Sequence, residues 1–116
     1  MGKASATDSD RGLVGAQTIT ANGATTGILV PTGQVLNVAV SVPSGVTGTL
    51  EMSFDNSAWF TMTPSSMALI DATAAAKAQV TTFYTEEPGV WLRCSGAGTW
   101  GGGTLSFRVS GQGQGY

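Results

Sequence analysis

The chain has 116 residues, enough for one domain with a real core and too few for two. Only 10% of them are charged, and the formal net charge is -2 with Lys3, Arg11, Lys77, Arg93 and Arg108 scattered, which excludes the basic footprint of a nucleic-acid binder. With no His and a single Cys, a Ser-His-Asp triad, a Cys-His pair, most zinc sites and an internal disulfide are excluded as well.

Seventeen glycines with abundant Thr and Ser describe a β-rich chain with many turns. No segment approaches the ~18 apolar residues of a membrane span. The N-terminus lacks the apolar stretch of a signal peptide, so the sequence predicts no membrane association and a cytosol-like site of synthesis.

Residues 1–16 are small and polar, with charge from Asp8, Asp10 and Arg11, and read as an extended N-terminal arm. A β-sandwich domain is expected over 17–110 and a Gly/Gln tail over 111–116, ending in Tyr116. The first strand is expected at Gln17–Thr20, anchored by Ile19, before the turn dipeptide Asn22-Gly23. Thr25–Val30 follows as a second strand. Val35–Val42 is the cleanest one, with Leu36, Val38, Val40 and Val42 on one face, and Pro43 closes it.

Thr49–Phe54 alternates in the same way, placing Leu50, Met52 and Phe54 inward and Glu51 and Ser53 outward. Asp55-Asn56-Ser57 supplies turn chemistry, and Trp59–Thr63 returns as the hairpin partner, bringing aromatic area back towards the core. Ser65–Ala78 is ambiguous. A short strand or loop with an irregular Ala-rich connection is favoured, and a short helix capped by Ser65 or Asp71 is the rival.

Gln79–Thr85 is again β, and Glu86-Glu87-Pro88-Gly89 forms a charged turn. Val90, Leu92 and Cys94 then alternate with Trp91, Arg93 and Ser95, which makes Cys94 a small core residue. Gly96–Gly103 is expected as a flexible hairpin loop with Trp100 at its tip. In the last strand Leu105, Phe107 and Val109 point inward. Seven to eight short strands with frequent turn signals define an all-β, single β-sandwich or jelly-roll-like domain.

Chemistry is sparse. Asp8, Asp10, Glu51, Asp55, Asp71, Glu86 and Glu87 are the only carboxylates, and each reads as a solvated charge or turn former. Asp55-Asn56-Ser57 offers too few oxygens for calcium. No catalytic residue, cofactor or metal is expected. The residues suited to meeting a partner are aromatic or lie in the arms. Trp100 either docks onto a partner or folds back over the end of the sandwich. Trp91 faces away from Leu92 and Cys94, Tyr116 is an aromatic anchor on a glycine tether, and Arg11 is the arm's cation.

Three stretches carry a resemblance: Asp-Asn-Ser-Ala-Trp at 55–59, Gly-Val-Trp-Leu-Arg-Cys at 89–94, and Gly-Gly-Gly-Thr-Leu-Ser-Phe-Arg-Val at 101–109. Over about residues 35–110 the chain resembles the small β-sandwich modules of tailed-bacteriophage virions. The resemblance implies a non-enzymatic capsid decoration (cement) protein that binds the outer surface of a phage head, with the major capsid protein as partner. It further implies a homo-oligomer, a trimer before a dimer, whose arms lie across capsid subunit junctions. A tail, head-tail junction or fibre-associated protein is the alternative. A carbohydrate-binding module, with Trp59, Trp91 or Trp100 as stacking platform and glycans as partners, is the second.

Overall fold

A computed structural model of the protein describes residues 12–63 and 68–111. Ten strands form among them: β1 (Leu13–Ile19), β2 (Gly23–Ala24), β3 (Ile28–Leu29), β4 (Leu36–Val42), β5 (Val46–Ser53), β6 (Phe60–Thr61), β7 (Leu69–Asp71), β8 (Lys77–Phe83), β9 (Trp91–Gly98) and β10 (Leu105–Gly111). They build two antiparallel sheets. The first runs β1-β10-β4-β8, and the second runs β2-β9-β5-β6, with β3 also on β9 and β7 also on β5. The all-β, two-sheet expectation is met. The count of seven to eight is not, because both edges of the second sheet are broken into two short strands.

The core lies between the sheets and follows from alternation. Leu36, Val38, Val40 and Val42 of β4 are buried, as are Leu105, Phe107 and Val109 of β10. Val46 and Leu50 of β5, with Leu92 and Cys94 of β9, meet them from the second sheet. Each such side chain contributes about 1.5–3 kcal/mol by leaving water. Burial pushes the Cys94 thiol up to about 12, so it stays protonated and serves as packing.

Several boundaries differ from expectation. β1 begins at Leu13 rather than Gln17, so residues 13–16, expected in the arm, pair with β10. The register shifts between Leu13 and Gly15, and this irregularity breaks the alternation that would mark a strand in the sequence. Thr25–Val30 is not one strand: between β2 and β3 the buried Thr25 hydroxyl accepts the Cys94 N–H at 3.1 Å, where a strand carbonyl would ordinarily serve. β9 continues through Gly96–Gly98, so the connection to β10 is shorter than the predicted Gly96–Gly103 loop.

Asp71 accepts hydrogen bonds from the Thr73 N–H (3.0 Å) and hydroxyl (2.7 Å), which turns the chain after β7. The Ala-rich stretch that follows is irregular up to β8, as favoured over a helix.

The hairpin after β5 departs most. Ser53 ends the strand, and its hydroxyl accepts from the N–H groups of Asp55 and Ser57 while donating to Asp55 Oδ1 at 2.9 Å. Asp55 Oδ1 in turn accepts the N–H groups of Ser57 and Ala58, both at 2.9 Å. Asn56 takes the left-handed conformation, φ 59°, that its short side chain tolerates. Phe54 is therefore carried out of the core and is 60% exposed, and Phe60, on the return strand β6, is exposed as well. The expected inward Phe54 and aromatic return do not form.

Candidate binding surfaces

Both outer faces follow from the strand register, because residues directly opposite each other in an antiparallel pair share a face. On the first sheet one row reads Ala16, Arg108, Ala39, Val80 and the next reads Thr18, Ser106, Ser41, Ala78. In these two rows every side chain but Arg108 is short, and a shallow hollow of about 240 Å³ lies among Ala39, Ser41, Ala78, Val80, Ser106 and Arg108. Val80, on the edge strand β8, is 69% exposed.

The second sheet is furnished differently. Glu51 of β5 stands opposite Arg93 of β9, and the Arg93 Nε donates to Glu51 Oε1 at 2.7 Å. The Arg93 guanidinium also lies over the Trp59 ring, 4.3 Å from its centroid. Trp59 reaches this position because the turn after Ser53 folds across the sheet. Gly27 makes room for it: a Cβ there would stand 3.0 Å from the Trp59 ring and collide with Asn56. Next to the pair, Ala24, Thr47, Thr49, Ser95 and Ala97 floor a trough of about 540 Å³ that Asn22 closes at the far end.

A smaller apolar hollow, about 160 Å³, opens between the sheets among Leu50, Met52, Met62 and Phe83.

Trp100 is tied down. Its Nε1 donates to Asn22 Oδ1 at 2.7 Å, the Gly98 N–H shares that oxygen at 3.0 Å, and the ring packs on the core beside Gly96. Of the two readings open for this residue, the structure holds the one in which it folds back over the end of the sandwich. Trp91 is half-buried in β9, paired with Leu29 on one side and Ser53 on the other. Arg11 and Tyr116 lie outside the described residues, as does Ser65. Of the four expected contact residues the two described, Trp91 and Trp100, lie at opposite ends of β9. What sequence reading missed is the Trp59–Arg93–Glu51 cluster, whose members lie far apart in the chain and share no local spacing.

The titratable groups at the surface serve local turns. Hydrogen bonds from Ala58, Ser53 and Ser57 hold the Asp55 carboxyl below its usual value, and Thr73 does the same for Asp71. Tyr84 donates to Glu86 at 2.9 Å, which raises its pKa. Among the described residues no group of three His, Cys, Asp or Glu side chains converges as a metal site, and no helix is long and apolar enough to cross a membrane. No protein-family model matches the chain, and no curated protein matches it.

Proposed function

We propose that the chain is a non-enzymatic virion structural protein with a jelly-roll fold, a capsid decoration protein that binds the outside of a phage head and bridges major capsid protein subunits. The sheet order supports the fold. When each split edge is counted as one position, the first sheet reads first-eighth-third-sixth and the second reads second-seventh-fourth-fifth. That is the order two Greek keys give, and viral capsid domains are among its users. The resemblance of residues 35–110 to phage β-sandwich modules points the same way.

The observation that carries the functional reading is the weakly charged outer face of the first sheet, with its rows of short side chains. Short side chains lose little rotamer freedom on docking, and a face with one charge has little to desolvate. Its size also sets the mechanism. Strands of 7 residues at ~3.3 Å each and a spacing of ~4.8 Å give a face of roughly 23 by 19 Å, about 440 Å². A stable interface takes about 800 Å² per partner, so one copy binds weakly by this face alone. A homo-oligomer, a trimer in this reading, engages several faces at once and gains ~10²–10⁴-fold in avidity. The expected N-terminal arm and C-terminal tail, with Arg11 and Tyr116, would extend the contact over neighbouring capsid subunits. The protein would be made in the host cytoplasm and reside on the virion.

Immunogold labelling of virions with antibody to this chain tests the reading. Label over heads is expected. Label along tails would transfer the protein to a tail, head-tail junction or fibre role, and unlabelled particles would overturn the virion assignment.

A further inference from the structure

The trough on the second sheet carries an inference independent of where the protein resides. Two side chains that carry hydrogen-bond donors line its ends, each held in place by other contacts. At one end Arg93 is held by Glu51 through Nε and by the Trp59 ring through its face. Its Nη groups, the bulk of the guanidinium's five donors, take no acceptor among the described residues. At the other end the Asn22 side-chain oxygen accepts both Gly98 N–H and Trp100 Nε1–H. Those two donors settle which amide atom is the oxygen, and so leave the Asn22 NH₂ as a directed donor.

Between the ends run the hydroxyls of Thr47, Thr49 and Ser95, each both donor and acceptor. From Arg93 to Ala97, four residues along β9, the trough is about 13 Å long.

We infer that this trough is a binding site for a neutral, hydroxyl-rich ligand, a short glycan segment. The charge balance selects against an anion: the carboxylate of Glu51 sits on the guanidinium, and among the described residues no second cation lines the trough. The floor selects against a lipid or apolar peptide, because three hydroxyls would be desolvated without partners. A polyol matches donors and acceptors in alternation, and the volume lies within the ~300–1,000 Å³ of small-ligand sites. Rigid donors lose little freedom on binding, which favours recognition over adventitious solvation.

Binding of the purified full chain to immobilised neutral gluco-, galacto- and manno-oligosaccharides, followed by titration of any hit with tryptophan fluorescence, provides the test. Trp59, stacked on Arg93, is the reporter. The expected result is a saturable response to at least one neutral oligosaccharide, weakened tenfold or more by Thr49→Phe, which puts a bulky ring on the trough floor. Arg93→Lys should weaken it similarly, since the charge remains and the forked donors are lost. Matched thermal unfolding of both variants controls for folding. No response to any of the sugars, binding only to sulfated or phosphorylated sugars, or undiminished binding by Thr49→Phe would each overturn the assignment.

Discussion

The outer faces of the two sheets make an instructive contrast. Their inner faces obey the same alternation and are built from the same aliphatic residues. Their outer faces share almost nothing. The first carries rows of Ala, Ser, Thr and Val around Arg108. The second is crossed by its own turn, which lays Trp59 against Arg93 and covers Ser53. The core constrains every second residue, so the remaining residues are free to differ, and function is to be sought in them. A face of short side chains suits another protein surface, and an open trough lined by hydrogen-bonding side chains suits a small polar ligand.

Substitutions that act beneath, within or on these faces should separate in size. Phe107→Ala lies under the first sheet and empties the centre of the core, so it should cost about 3–5 kcal/mol in denaturant unfolding. A loss under 1 kcal/mol would mean that the sandwich interior is poorly packed. Trp100→Ala, at a half-buried site where the Asn22 bond is also lost, should cost about 2 kcal/mol. Arg93→Ala removes a partly exposed ion pair and a ring contact, for a loss of about 1 kcal/mol that shrinks in high salt.

Acid should act on the second face selectively. Because the folded pKa of Asp55 is depressed, its contribution is complete above the ordinary value of 3.8 and is lost as pH falls through the lowered folded value. Amide protection at Ser57 and Ala58 should fall in that range, and Asp55→Asn should abolish the pH dependence. The smallest expected change in stability is that of Val80→Arg, within about 0.5 kcal/mol, because the side chain points into solvent. The same substitution should abolish association with capsids in co-sedimentation. If association survives Val80→Arg but not Thr49→Phe, the roles of the two faces are exchanged.

The sequence disclosed the interior well and the surfaces poorly, for physical reasons. β4 and β10 bury one face completely, and alternation alone revealed both. Residues 13–16 of β1 pass for an arm because the register shift between Leu13 and Gly15 interrupts the alternation there. The split between β2 and β3 depends on the Thr25 hydroxyl finding the Cys94 N–H, a contact 69 residues away in sequence. The hairpin was foreseen, but Phe54 was misplaced because Ser53 is committed to hydrogen bonds of the turn and ends the strand. Glu51 and Arg93 are 42 residues apart, and each alone reads as a solvated charge. Only the pairing of β5 with β9 brings them together.

The claim on which the account turns is that the four-stranded sheet is the contact face on a virus head. Electron cryomicroscopy of intact virions measures this directly. The account predicts two-sheet density on the head exterior, with β1, β10, β4 and β8 turned towards the shell and the Arg93 trough turned to solvent. Density confined to the tail, or a domain seated on the shell by its second sheet, would contradict it.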